Sequence, residues 1–355
     1  MPQSLLPPLL VVAGPTAGGK SELALRLAQE LPGEILSLDS VQIYRGANIG
    51  SAKVGAAERA LVPHHLLDIC DPNERYSAAQ FVRDSESVLP QIVARGRQTV
   101  LVGGTNLYLT ALLHGLADLV RGSEALQARL KSLSDEELHS ELRSLDALSA
   151  ERLHPHDRFR VSRALETAIE SGTSASELRA QHGFTELRHA ALVIVVCPQR
   201  EVLYERINRR SVEMLDRGLV AETEALLARY GCDVAPLKTL GYLQAVAYLE
   251  GRLPYAKLAE EIAMHTRRFA KRQMTYWRNE PTKRGWKVDT ESDPALLIPR
   301  EKACRRRVLA SAEPSAVAAV SLPEVVDGAR RRLAQLGNEV VVWYLASGAG
   351  PASPL

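Results

Sequence analysis

Residues 8–31, PLLVVAGPTAGGKSELALRLAQEL, decide the fold. Residues 8–13 are a short, unbroken apolar run, the pattern of a parallel strand buried on both faces. Gly14-Pro15-Thr16-Ala17-Gly18-Gly19-Lys20-Ser21 then fits GxxxxGK[ST] in full, and an amphipathic helix follows over about Gly19–Leu31. Glycines at these positions let backbone N–H groups converge on phosphate oxygens. The helix N-terminus adds its dipole, and Lys20 adds a full charge. The Ser21 hydroxyl is placed to reach a Mg²⁺ ion. The competing reading, a Gly-rich turn with no ligand, does not need the strand before it and the helix after it. The loop specifies a phosphate group and leaves the rest of the ligand open.

Working outward, Glu34–Leu38 reads as a second strand ending at Asp39, and His65–Ile69 as a third. A helix capped by Ser77 runs to about Arg95. Thr99–Val102 is a further buried strand, closed by Gly103-Gly104-Thr105 and a helix to about Gly115. Strand and helix in alternation predict a doubly wound α/β sheet. Residues 118–187 hold no strand pattern and read as a helical insertion. The sheet returns at 190–196, with a long helix over about 200–217 and further helices to about 278. After about residue 290 the composition drifts to Ala, Pro, Ser and Arg. Residues 291–355 therefore read as a linker-like tail whose loss would leave activity largely intact, with a short helix at 322–336 and a short strand at 340–344 as its candidate elements. The predicted organisation is a core of 1–117 plus 188–290, the insertion at 118–187, and the tail.

The totals are those of a globular protein: 46% hydrophobic, 24% charged, net charge +2. No apolar stretch is long enough for a membrane span, and the N-terminal run lacks the basic start of a signal peptide. The four cysteines have neither zinc-finger nor CxxC spacing, which predicts reduced thiols and a cytoplasmic protein. His64-His65 lacks further ligands at metal spacing and reads as ordinary loop and core histidine.

Nucleotide hydrolases add a carboxylate at the end of a later strand to hold Mg²⁺. Here that strand ends in Gly-Gly-Thr, and the carboxylate is Asp39, at the end of the strand after the loop helix. Both strand ends point to the same ligand edge. Asp39 is a metal ligand, a general base or a helix cap. Arg206, Arg209 and Arg210 lie on the helix after the last strand, either aimed at a departing phosphate or on a solvated face. Residues 265–287, HTRRFAKRQMTYWRNEPTKRGWK, carry eight Lys or Arg against one Glu, interleaved with Phe269, Tyr276, Trp277 and Trp286. Such a stripe suits RNA, by phosphate contacts and stacking, or is a solvated face. Arg158, Arg160 and Arg163 form a second cluster in the insertion.

The blocks GPTAGGKS (14–21), DSVQIYRGANIGSAK (39–53), VPHHLLDICDP (62–72), YSAAQF (76–81), LVGGTNLYL (101–109), HPHDRFRVSRALE (154–166), LGYLQAVAYLEG (240–251) and TRRFAKRQMTYWR (266–278) together resemble the tRNA dimethylallyltransferases, over about residues 9–280. The resemblance implies a P-loop kinase-like α/β fold with a helical insertion that clamps the tRNA anticodon stem-loop. It implies transfer of a dimethylallyl group from dimethylallyl diphosphate to the exocyclic amine of the adenosine 3′ of the anticodon. By position, Asp39 would deprotonate the amine and Thr16 would contact the diphosphate near the breaking bond. Gly14 to Ser21 and Arg210 would hold the diphosphate, with Mg²⁺ at Ser21. Asp39, Ser40, Val41, Gln42, Thr105, Gln127, Phe159, Arg160, Arg163, Arg267, Arg268, Lys271, Arg272 and Gln273 would line the RNA side of a monomer.

Three positions depart from the family pattern: Val120-Arg121 replaces a Pro-rich hinge, Gln127 an arginine, and Leu243 an arginine or lysine. The rival readings are a small-molecule P-loop kinase, and an adenylate isopentenyltransferase running the same chemistry on a free nucleotide. A tRNA-binding protein without catalysis would not need the intact loop.

Overall fold

The structure, a computed structural model, describes residues 6–117, 119–183, 186–288 and 322–347. Contacts divide the chain into two units, His114–Leu187 and the remainder.

The larger unit is built on a parallel sheet. In chain order its first elements are β1 (Leu9–Ala13), α1 (Lys20–Glu30), β2 (Gly33–Leu38), α2 (Ala56–Leu61), β3 (His64–His65), α3 (Ala78–Ala94), β4 (Gln98–Gly103) and α4 (Asn106–His114). Every residue of β1 and β2 is buried, as an unbroken apolar run requires of a strand covered on both faces. Ser77 caps α3 by accepting from the Gln80 N–H, and the Gln80 side chain returns the bond to the Ser77 N–H. The third strand is shorter than the sequence suggests. Leu66 and Asp68 take φ of 60° and 56°, which ends the extended run after His65.

The smaller unit, His114–Leu187, is helical throughout its described residues: α5 (Glu124–Ser132), α6 (Asp135–Leu145), α7 (Ala147–Arg152), α8 (Arg158–Ser171) and α9 (Ala175–His182). Its own core is a cluster of leucines around Leu130, Leu138, Leu142 and Leu165. Ser134, Asp146, Asp157 and Ser174 cap four of these helices with side-chain bonds.

The larger unit resumes with β5 (Ala191–Pro198), α10 (Arg200–Asp216), α11 (Leu219–Tyr230), a 3₁₀ turn at Pro236–Lys238, α12 (Tyr242–Leu249), α13 (Tyr255–Lys283) and β6 (Lys287–Val288). It ends with α14 (Leu322–Gln335) and β7 (Val340–Ser347). The strand order is β3-β2-β4-β1-β5-β7-β6, with every pairing parallel. β1 is central, and the phosphate loop leaves its carboxyl end, between the ends of β4 and β5, where ligands bind in open parallel sheets.

The linker-like reading of the tail is corrected by β7. It pairs with β5 along its whole length, from Ala191↔Val340 to Pro198↔Ser347. Val340–Val342 and Trp343 are buried, and Val325, Val326 and Ala329 of α14 pack into the core beneath the sheet. The cause is the run Val340-Val341-Val342-Trp343-Tyr344-Leu345, which carries the same buried-strand signature as β1. Residues 340–344 already read as a short strand; the average composition of the flanking residues hides its place in the sheet. Residues 291–321 and 348–355 of the tail lie outside the described residues.

Candidate active site at the phosphate loop

The loop is shaped by its backbone. Gly14 sits at φ 133°, and a Cβ there would lie 2.5 Å from the Val196 carbonyl oxygen. Only glycine lets β1 pass this close to the end of β5. Ala17 at φ 59° and Gly19 at φ 93° turn the following N–H groups inward as α1 begins. Lys20 Nζ donates to the Pro15 carbonyl at 2.6 Å, so the ammonium is held over the loop. Burial, with Arg210 close by, pushes the Lys20 ammonium down to about 8, while the Asp39 carboxylate pulls the other way. Burial also lowers Arg210, and Asp39 again opposes it. Lys20, Arg210 and Asp39 therefore form one electrostatic group.

The cleft they share has a volume of about 670 Å³ and is lined by Thr16 to Glu22, Asp39 to Gln42, Thr105, Arg206, Arg210 and Gln273 among others. Asp39 Oδ1 accepts from the N–H groups of Val41 (2.8 Å) and Gln42 (3.2 Å). This Asx turn fixes the carboxylate by one oxygen, and no described residue donates to the other. The helix-cap reading of Asp39 is corrected: no helix begins here, and the carboxylate closes a turn at the ligand edge. Ser40 N–H donates to Thr105 Oγ1 at 3.1 Å, which ties the end of β2 to the end of β4. The Gln42 amide is used internally: Ser37 donates to its oxygen, and its nitrogen donates to the Ser51 and Ala52 carbonyls. Ser21 is exposed at the mouth of the cleft.

Gln273 is 5% exposed, and its amide bridges two elements. Its oxygen accepts from the Thr16 N–H at 2.8 Å, and its nitrogen donates to the Gly104 carbonyl at 3.1 Å. Its side-chain amide shapes the loop from within the cleft lining, because α13 packs this residue inward. A Cβ at Gly104 would lie 2.4 Å from Gln273 Nε2, so a side chain there would push the amide away from this bridge.

Helix α13 has two faces. Ala270, Gln273, Trp277 and Pro281 are buried at spacings of three and four, whereas Arg268, Lys271, Arg272 and Arg278 are exposed. Of the interleaved aromatics, Trp277 and Trp286 are core, and the Tyr276 hydroxyl lies 3.1 Å from Thr110 Oγ1. Phe269 is the one that reaches the cleft, with the Arg272 guanidinium 5.7 Å from its ring centre. Arg267 is tied to Asn208. A second hollow of about 360 Å³ adjoins the loop, walled by Ile207, Met214, Leu240, Ile262 and Phe269 beside Thr16, Asp39 and Arg210.

Sequence reasoning missed Glu222. Its carboxylate accepts from the N–H groups of Asn48, Ile49 and Gly50 and from the Tyr242 hydroxyl, anchoring the segment that follows Asp39. It also missed Lys53, whose buried ammonium bonds Tyr44 O and Asp68, both at 2.6 Å. No local pattern marks either, since the partners of each are set by the fold. His65 bonds Glu34, and His64 bonds the Val62 carbonyl.

The helical unit places its predicted residues unevenly. Phe159 is 77% exposed with Arg160 exposed beside it, an outward pair on α8. Arg163 is held by Glu166, and Arg158 by Asp135 and three backbone carbonyls. Gln127 Nε2 donates to the Gly122 carbonyl at 2.7 Å. At the third departure, in the larger unit, Leu243 is 47% exposed.

The family model described as IPP transferase matches residues 42–280. The chain is 45% identical over 279 residues to the tRNA dimethylallyltransferase of Myxococcus xanthus (strain DK1622), covering 78% of this chain and 91% of that protein. The chain belongs to the tRNA dimethylallyltransferase family. The crystal structure of the tRNA isopentenylpyrophosphate transferase of Bacillus halodurans superposes with a TM-score of 0.55 at 36% identity, covering 77% of this chain and 87% of that one. A eukaryotic dimethylallyltransferase acting on tRNA superposes with a TM-score of 0.67 at 28% identity, covering 76% and 69%. The parallel sheet with its phosphate loop is therefore the family fold. Among the described residues, no helix is long and apolar enough to cross a membrane.

Proposed function

We propose that this chain transfers the dimethylallyl group of dimethylallyl diphosphate to the exocyclic amine of the adenosine 3′ of the tRNA anticodon, releasing diphosphate. The observation that carries this reading is the meeting of Lys20, Arg210 and Asp39 in one cleft beside an apolar hollow. The diphosphate takes the loop, and the five-carbon chain takes the hollow. In the reaction the allylic C–O bond breaks and its electron pair leaves with the diphosphate. The amine nitrogen forms the new bond to that carbon and loses its proton to Asp39. An aromatic amine is a weak nucleophile, so stabilising the departing charge matters most. Lys20, Arg210 and the loop amides are fixed in a partly water-excluded place to do it. The Asx turn holds the Asp39 carboxylate before the amine arrives, and its second oxygen accepts the proton.

Mg²⁺ fits the donor set. The ion binds through one or two protein oxygens plus substrate phosphates, and the exposed Ser21 hydroxyl supplies such an oxygen. Mg²⁺ there would neutralise part of the diphosphate charge. The exposed Arg268, Lys271 and Arg272 are the tRNA backbone contacts, with Phe269 at the cleft to stack on the displaced base. The enzyme acts as a monomer in the cytoplasm.

Mass spectrometry of nucleosides tests this reading. With unmodified tRNA, dimethylallyl diphosphate and Mg²⁺, a C5H8 gain is expected on the adenosine 3′ of the anticodon. Modification of free adenosine phosphate but not tRNA would favour the nucleotide enzyme. Phosphoryl transfer from ATP to a small acceptor would favour a kinase.

A further inference from the structure

Helix α13 contains a proline near its end, Pro281. Proline has no N–H, so the carbonyl four residues earlier, on Trp277, loses its helical partner. Trp277 is 1% exposed, so water does not take the partner's place. An unpaired buried carbonyl is destabilising. The donor comes from the far end of the chain: the Tyr344 hydroxyl, on β7, bonds the Trp277 carbonyl. β7 is held in turn by β5 along its whole length, and Glu339 just before it pairs with Lys287 and Arg332. One turn before Trp277, on the same face of α13, is Gln273, whose amide joins the Thr16 N–H to the Gly104 carbonyl.

We propose that Tyr344 is a positioning residue for prenyl transfer: it supplies the hydrogen bond that Pro281 removes from α13, and so holds Gln273 against the phosphate loop. This rests on reading that loop as the diphosphate site. It gives a part in the reaction to a strand beyond residue 280, where the family match ends. The connection runs from Tyr344 to the Trp277 carbonyl, from Trp277 to Gln273 along one helical turn, and from Gln273 to Thr16. Its stake is the aim of the loop amides, since Thr16 begins the turn that faces the diphosphate.

The test is a cycle of full-length variants: Tyr344→Phe, Pro281→Ala and both together. Pro281→Ala restores the N–H that the Trp277 carbonyl lacks, so the tyrosine hydroxyl becomes redundant. Tyr344→Phe alone should lower turnover and the affinity for inorganic pyrophosphate by about fivefold, the worth of one hydrogen bond. It should also speed amide exchange in the last turns of α13. In the Pro281→Ala background the same change should matter by less than about twofold, within the scatter of independent sites. An equal loss in both backgrounds would mean that Tyr344 only packs the sheet, and would overturn the proposal. So would a Tyr344→Phe protein with wild-type turnover and pyrophosphate affinity. If the wild type binds pyrophosphate but transfers no prenyl group, the proposed function fails, while the pyrophosphate and exchange measurements still decide the role of Tyr344.

Discussion

At the phosphate loop, Lys20 and Arg210 are enclosed, close to each other and to Asp39, and burial has already moved both away from their ordinary ionisation. On α13, Arg268, Lys271 and Arg272 stand in solvent on one helical face. Both regions offer positive charge to phosphate, and they differ in everything else. Enclosed charges act over short distances with little screening, so they discriminate by geometry and respond to pH. Exposed charges are screened within about 8–10 Å in ordinary salt, so they bind a polyanion loosely and respond to ionic strength. The contrast assigns the work: chemistry to the enclosed group, capture of tRNA to the exposed face.

The largest expected effect breaks the enclosed group. Asp39→Asn keeps the size and the acceptor for the Val41 and Gln42 N–H groups but removes the charge and the basicity. Turnover should fall by about 10²–10⁴-fold, the range for loss of a general base. Binding of donor and tRNA should change far less. Single-turnover rates and equilibrium binding, measured separately, check this. A rate within a few-fold of wild type would reduce Asp39 to its Asx turn. Joint collapse of Mg²⁺ and donor binding would make it a metal ligand.

The exposed face is next. Replacing Arg268, Lys271 and Arg272 by alanine should weaken tRNA binding by about tenfold or more at moderate salt. The slope of log affinity against log salt should flatten by roughly one unit for each lost phosphate contact. Pyrophosphate binding should not move. Unchanged tRNA affinity at both low and high salt would leave this face merely solvated.

How much of this was legible in the sequence follows the same division. The phosphate loop was legible because its residues are adjacent and the motif fixes their conformation. Gly14 is forced by the approach of Val196, yet its spacing already marked it. The stripe was legible as charge, but its two faces were not. Three of its aromatics and Gln273 belong to the interior, and the partner of Gln273 is 257 residues away. Gly104 was legible as an absent carboxylate, while its contact with the Gln273 amide needed the fold. β7 was legible as a short strand at 340–344, but its pairing with β5 and its place in the core were not, because the composition around it is weak. Truncation at residue 290, harmless by composition, removes the strand that pairs with β5 throughout. The helical insertion was visible as a block because its caps and leucine spacing are local, whereas its arginines divided by partner. Arg158 and Arg163 are tied internally, and Arg160 beside Phe159 faces outward.

The smallest expected effect sharpens the contrast by pH. Burial lowers Lys20 in the fold from the ordinary lysine value of 10.5 to about 8. The folded state therefore disfavours its charged form, and an anion in the loop favours it. Pyrophosphate should bind best below about 8 and lose affinity as pH rises through that value, with binding accompanied by proton uptake there. Between about pH 7 and about pH 8.5 the Lys20 contribution amounts to roughly three- to fourfold. Pyrophosphate gains charge over the same range and works against the trend, so the comparison must be internal. Lys20→Arg keeps a cation that stays protonated. Its affinity profile should lack the decline, and titration calorimetry in buffers of different ionisation enthalpy should show the proton uptake shrink. For tRNA binding at the exposed face, wild type and Lys20→Arg should give the same profile, because Lys20 takes no part in that surface. Parallel pyrophosphate profiles for the two proteins would mean that Lys20 is as freely solvated as the α13 stripe, and the distinction between the two regions would fail at its most sensitive point.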